Sequence, residues 1–306
     1  MKSYDALVVG GGPAGITAAL YLARAGVRTA LVEKLAPGGQ VLNTEVIENY
    51  PGHPAGIKGF ELADLFAAHL APYGVDRVND EVREMRVGQA AHELLVGGER
   101  LSARAVILCM GARYRRLKIP GEEALTGKGV SYCALCDGNF FRDKVVAVIW
   151  GGNSALEESL YLARLVRKLY LVHRRDAFRA EKHIQDKCCA HPKIEVLRSK
   201  RPVEIQGADG VEALLVECAK TGQQTRLAVD GVFVFVGFDP NIEFVPAEIL
   251  RDANGILTDT EMRTNVPGVF AAGDVRSKQC RQVITAAGDG ATAASAAYAY
   301  LEQAHA

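Results

Sequence analysis

The chain has 306 residues, enough for two domains of ordinary size, and its 49% hydrophobic and 24% charged content is that of a globular protein. Lys plus Arg and Asp plus Glu number 36 each, so no overall field draws it to nucleic acid or to an anionic membrane. No stretch reaches the roughly 18 apolar residues that a spanning helix needs, and no signal-peptide cleavage pattern follows Met1, so a cytoplasmic location is expected.

Tyr4 to Val9 reads as an apolar strand, followed by the Gly-rich turn Gly10-Gly11-Gly12-Pro13-Ala14-Gly15 and an Ala-rich helix ending before Gly26. The turn satisfies Gly-x-Gly-x-x-Gly between strand and helix, the context in which that pattern binds a dinucleotide. The first Gly permits the tight turn, the second lets a pyrophosphate approach the backbone, and the third lets helix pack on strand. Glu33 ends the next expected strand, Thr29–Glu33, 18 residues after Gly15, where an acid can accept hydrogen bonds from a ribose. This pattern alone does not separate FAD from NAD. Further on, Ala105–Met110 and Val232–Val236 are short apolar runs read as buried strands, and Cys109 falls within the first of them.

Lys144 to Val166 repeats the opening order, with the strand Val145–Ile149, the turn Trp150-Gly151-Gly152-Asn153-Ser154-Ala155 and a helix. The two helices share Tyr-Leu-Ala-Arg, beginning at Tyr21 and Tyr161. A second strand, Lys168–His173, follows. Each segment is therefore a βαβ opening of a doubly wound sheet. The second fingerprint keeps the close-approach Gly152 and the packing Ala155, but an indole stands where the first Gly is expected. A large side chain at such a tight turn would cost about 1–3 kcal/mol. Next to it, Arg174, Arg175 and Arg179 suit a 2′-phosphate, and no acid ends the strand to claim a free ribose hydroxyl. Leu117–Gly121 and Gly237–Asn241 read as linkers, which makes 116–240 a domain inserted between 1–115 and 241–306.

Seven cysteines over a chain of this length argue against a secreted disulfide framework. Cys133-Ala134-Leu135-Cys136-Asp137 is a redox pair, half a zinc site, or coincidence. Zinc would need a second pair, and none is suitably spaced; His173, His183 and His191 read as surface or loop residues, and no metal is expected. Cys188, Cys189, Cys218 and Cys280 read as plain structural residues.

Gly38-Gly39-Gln40, Glu48-Asn49-Tyr50-Pro51-Gly52 and Gly268-Val269-Phe270-Ala271-Ala272-Gly273-Asp274, taken in order with the dithiol, resemble the low-molecular-weight thioredoxin reductase family over nearly the whole chain. The stretch His173-Arg174-Arg175-Asp176-Ala177-Phe178-Arg179-Ala180 matches that family's NADP signature. Cys109-Met110-Gly111-Ala112 departs from its usual Ala-Thr-Gly-Ala while keeping the Gly. The resemblance implies an α/β fold with two dinucleotide-binding domains, the second inserted into the first. It implies FAD held by Gly10, Gly12, Pro13, Ala14, Gly15, Glu33, Gly39, Gln40, Asn49, Gly111, Asp274, Arg281, Gln282 and Val283. NADPH would lie on Gly152, Ser154, Ala155, Arg174, Arg175 and Arg179. Cys136 would face the flavin, Cys133 would attack a thioredoxin disulfide, and Asp137 would carry a proton. The resemblance also implies a homodimer whose domains rotate about hinges near 116 and 240. Trp150 leaves three readings of the donor: NADPH despite the indole, another reductant such as reduced ferredoxin, or an accidental change. A flavin-binding redox sensor is the alternative from another class.

Overall fold

In the computed structural model, β1 (Lys2–Val9) runs into α1 (Pro13–Arg24) and returns as β2 (Thr29–Val32). The structure describes residues 2–44 and 46–303, without the side chains of Asn43, Asn153 and Ser154. After α2 (Gly59–Leu70) come β3 (Asp76–Val78), β4 (Val82–Arg86), β5 (His92–Val96) and β6 (Glu99–Leu108). The middle of the chain holds β7 (Val130–Ser131), α3 (Ala134–Asp137), β8 (Val145–Ile149), α4 (Asn153–Leu165), β9 (Lys168–His173), α5 (Lys182–Ala190) and β10 (Ile194–Arg198). Then follow β11 (Lys200–Gln206), β12 (Ala213–Cys218), β13 (Gln224–Ala228) and β14 (Gly231–Val234). The chain closes with β15 (Val269–Ala271) and α6 (Val283–Gln303).

The chain divides into two units, Met1–Arg113 with Phe238–Ala306, and Tyr114–Gly237. In the first, the sheet order is β3-β2-β1-β6-β5-β4, with β15 also paired to β6. The pairs among β1, β2, β3, β6 and β15 are parallel, while β4, β5 and β6 form an antiparallel meander. Ala6 to Val9 and Ala105 to Leu108 are buried, the continuous apolar run of strands covered on both faces. Helix α6 packs on α1 through small residues, and a Cβ on Gly290 would lie 2.2 Å from the Ala14 carbonyl oxygen. Pro13 at the start of α1 needs no intrahelical N–H partner there.

The second unit has a parallel sheet ordered β7-β14-β8-β9-β10 and a separate antiparallel sheet β11-β12-β13. The fold is thus α/β with two doubly wound sheets. Four expectations shift. The run read as Ala105–Met110 belongs to the longer β6, because its first half, Glu99–Ala103, pairs antiparallel with β5. The run Val232–Val236 is the strand Gly231–Val234, and β2 stops at Val32, one residue before Glu33. Leu117–Gly121 lies inside the second unit. There the Glu122 carboxylate, 2% exposed, accepts the Leu117 and Lys118 N–H groups at 2.9 and 2.7 Å, and the Ile205 N–H donates to the Pro120 carbonyl at 2.9 Å. Among the described residues no helix is long and apolar enough to cross a membrane.

Candidate functional site

The turn between β1 and α1 shows why each glycine is there. Gly10 has φ +104°, and a Cβ on it would lie 2.4 Å from the Cys109 carbonyl oxygen. A Cβ on Gly15 would lie 1.7 Å from the Gly10 carbonyl oxygen, so helix and strand could not pack as they do. Gly12 is open, its Cβ position meeting only Gly39 Cα at 4.0 Å. The open face lies beside the free N–H groups and positive dipole end of α1, where a diphosphate is favoured. Glu33 Oε2 accepts the Gly11 N–H at 2.6 Å and Oε1 accepts the Leu35 N–H at 2.9 Å, so the carboxylate braces the turn.

The other residues expected at this site lie in the same unit. The Gln40 amide donates to the Ala112 carbonyl, and Asn49 Nδ2 donates to Gln282 Oε1 at 2.9 Å, joining two expected site residues 233 positions apart. The Gly111 carbonyl accepts the Asn241 N–H at 3.0 Å, and Val283 opens α6. Arg281 lies over the Phe238 ring at 3.6 Å and donates to the Asn254 carbonyl at 3.0 Å. Asp274 Oδ1 is buried with no hydrogen-bond partner; burial pushes its carboxyl above the usual range, while Lys278 and Arg281 pull it back. A buried orphan acceptor next to Gly273, whose Cβ position would lie 2.9 Å from Ala14 Cβ at the start of α1, fits a polyhydroxylated dinucleotide such as FAD.

Asp289 was not singled out from sequence. Its Oδ2 accepts from the Gly273 N–H at 3.0 Å, Arg276 Nη1 at 2.9 Å and Lys278 Nζ at 2.7 Å, fixing the Gly273-Asp274 turn. The signal available was a lone acid in the small-residue run Ala286-Ala287-Gly288-Asp289-Gly290.

In the second unit Trp150 adopts the backbone of the first-glycine position, with φ +127°. Its N–H donates to the Val172 carbonyl at 3.1 Å, as the Gly10 N–H donates to Val32 at 2.8 Å. Ala155 is fully buried at the foot of α4, Arg174, Arg175 and Arg179 are exposed, and Ser154 lies outside the residues whose side chains are described. His173, expected on the surface, is 4% exposed. It ends β9 at the place Glu33 holds after β2, its Nε2 bonds the Ala177 carbonyl at 3.0 Å, and it packs on Phe178. Burial lowers its pKa, and the neighbouring arginines add to that. An exposed cluster of guanidinium groups beside a dinucleotide turn fits a phosphorylated nicotinamide nucleotide.

The dithiol is closed as a disulfide, with Cys133 capping the short helix α3. Cys133 Sγ accepts the Cys136 N–H at 3.2 Å. Ser131, buried and not foreseen, ties the group together: its hydroxyl donates to Asp137 Oδ2 at 2.6 Å and accepts the Cys133 N–H at 3.1 Å. Burial raises the Asp137 carboxyl above its ordinary range and the Ser131 hydrogen bond opposes that rise. A carboxyl of raised proton affinity one residue from a disulfide can supply or take the proton that thiol–disulfide exchange requires. Among the described residues no group of three or more His, Cys, Asp or Glu is placed to hold a metal ion.

The pyridine nucleotide-disulphide oxidoreductase family model matches residues 4–290. A thioredoxin reductase from Listeria innocua is 42% identical over 305 residues, covering 99% of this chain and 95% of that protein. One from Treponema pallidum is 43% identical over 300 residues, covering 98% and 97%. The crystal structure of thioredoxin reductase from Streptococcus pyogenes superposes with a TM-score of 0.95 at 46% identity, covering 98% and 99% of the two chains. Full-length likeness of this kind does not favour a non-nicotinamide donor or a flavin-binding sensor. The chain belongs to the pyridine nucleotide-disulphide oxidoreductase family, as one of its low-molecular-weight thioredoxin reductases.

Proposed function

We propose that this enzyme moves electrons from NADPH, through FAD, to the Cys133–Cys136 disulfide and on to thioredoxin. Family membership implies a flavin and a pyridine nucleotide; FAD suits the glycine cradle with orphan Asp274, and NADPH suits the Arg174, Arg175 and Arg179 turn. FAD would supply a carrier that accepts a hydride and gives two electrons to a disulfide. The chain's own residues do the exchange. Once the disulfide is reduced, the Cys133 thiolate attacks a sulfur of the thioredoxin disulfide, forming a mixed disulfide and releasing one thioredoxin thiolate. Cys136 then attacks Cys133 Sγ, restoring the Cys133–Cys136 disulfide and releasing the second thiolate. Asp137 donates a proton to one departing thiolate and solvent supplies the other. The same reading makes the enzyme a cytoplasmic homodimer.

The observation that carries this reading is the disulfide beside Asp137, with the Cys136 N–H aimed at Cys133 Sγ, where it favours negative charge. Anaerobic stopped-flow mixing with NADPH, followed by addition of thioredoxin, tests it. Flavin bleaching within the mixing experiment and stoichiometric thioredoxin dithiol are expected. In Cys133→Ser, bleaching persists and thioredoxin reduction is lost; undiminished thioredoxin reduction by that variant refutes the assignment.

A further inference from the structure

The second fingerprint turn carries an encumbrance that its twin lacks. In the first turn the face of Gly12 is clear to 4.0 Å. On Gly152, which holds the matching position, a Cβ would lie 3.5 Å from Trp150 Nε1 and 3.6 Å from the same indole's Cδ1. The N–H edge of the indole therefore stands over the glycine whose bare backbone admits a diphosphate. The ring also engages the neighbouring clamp, because the Arg174 guanidinium carbon lies 5.4 Å from the indole centroid, within cation–π range. A single side chain thus covers the diphosphate face and occupies one of the three arginines that suit a 2′-phosphate.

That placement is not a loose surface rotamer. Trp150 is half-buried against the apolar cluster that includes Ala155, Leu156 and Phe178. Its backbone is pinned by the strand-like bond to Val172 in a region that side-chain-bearing residues rarely adopt. A residue held so against its preference persists where its surroundings over-determine it.

We propose that Trp150 is an affinity-setting gate on the second dinucleotide site: with no nucleotide bound its indole lies on Gly152 and stacks with Arg174, and a 2′-phosphorylated nicotinamide dinucleotide binds by turning the ring aside and taking Arg174 for itself. The inference rests on NADPH being the donor. Every binding event then loses the indole–guanidinium contact, so the wild-type enzyme binds its nucleotide more weakly than its arginine clamp permits. Trp150→Gly removes the gate and installs the residue best suited to φ +127°, so folding is not endangered.

Isothermal titration calorimetry of NADP⁺ into the oxidised holoenzyme reads the effect without turnover. Trp150→Gly is expected to bind NADP⁺ roughly tenfold more tightly than wild type, equivalent to about 1.4 kcal/mol, with a fall in KM for NADPH. Since Trp150 is the chain's only tryptophan, wild-type indole emission should shift on saturation with NADP⁺ as the ring leaves the guanidinium. Equal binding by the two proteins overturns the gate, and so does weaker binding by the variant, which would make the indole N–H a phosphate donor. Unaltered emission at saturation overturns it too. If neither protein takes up NADP⁺ or NAD⁺ while another reductant bleaches the flavin, the NADPH reading falls as well, an outcome distinct from measurable but equal affinities.

Discussion

Asp289 offers a demanding test of the first unit, because a single carboxylate oxygen there serves three donors. Asp289→Ala would leave Arg276 and Lys278, whose side chains are only 12% and 11% exposed, without their counter-ion, and would strip the Gly273 N–H of its acceptor. Removing one member of a buried ion pair costs about 3–5 kcal/mol, mainly through the charge left behind. The residual exposure admits some water, so the lower end, about 3 kcal/mol, is expected. For a unit of this size each kcal/mol corresponds to about 2–4 °C in Tm, which gives a fall of about 6–12 °C. Calorimetric melting reads that fall, and absorbance after gel filtration reads the flavin retained by the displaced Gly273-Asp274 turn. Asp289→Asn, which keeps an acceptor for Gly273, should lie between variant and wild type. Adding Lys278→Met to Asp289→Ala should recover part of the loss by removing an uncompensated cation. A loss below about 1 kcal/mol, or no recovery in the double variant, would show that the carboxylate does not hold the turn by charge.

Three other outcomes follow from the same geometry. Ser131→Ala deletes the hydrogen bond that opposes burial at Asp137, so its carboxyl should rise further, hold its proton to higher pH, and move the corresponding limb of the kcat profile upward; an unmoved or lowered limb would contradict this. Gly12→Ala and Gly15→Ala should separate binding from packing. The first has room for its methyl and should melt like wild-type apoprotein while losing flavin, whereas the second drives a methyl into the Gly10 carbonyl and should lower the stability of the apoprotein itself, by about 1–3 kcal/mol, and Tm with it. Cys218 should be alkylated by iodoacetamide near neutral pH well before Cys109 and Cys188, as peptide mapping would reveal. Hydrogen bonds from the Thr221 hydroxyl and the Lys220 and Thr221 N–H groups bring its thiol down to about 7, while burial pushes the other two up.

What could be read from sequence was local and periodic. The two βαβ openings, the glycine roles at 10, 12 and 15, and the strained place of Trp150 each follow from a few adjacent residues, and each has a direct counterpart in backbone angles and contacts. The residues that went unseen are polar side chains whose partners no sequence motif announces. Asp289 reaches a turn 16 residues earlier from a helix where an acid ordinarily faces water, and Ser131 looks like any strand-end hydroxyl until Asp137 folds back onto it. Glu122 likewise reads as a surface acid, yet it is buried, gathering two N–H groups and the Tyr132 hydroxyl. His173 shows a related pattern: a polar residue beside an arginine run suggests solvent, but its place at the end of β9, under Gly151, is interior.

The pairing of β15 with β6 and the packing of α6 on α1 mean that the first unit is assembled from two lengths of chain, with the second unit's continuous 114–237 between them. During synthesis the ribosome delivers the guest complete before its host has a closing helix. The βαβ opening at the N-terminal side must wait, its α1 face of Ala14, Ala18 and Ala19 uncovered, until the segment from Val283 onward emerges. Such long-range closure is slow relative to local pairing. The order of folding should therefore invert the order of the chain, and the nascent first unit is the stretch that most needs shielding from aggregation.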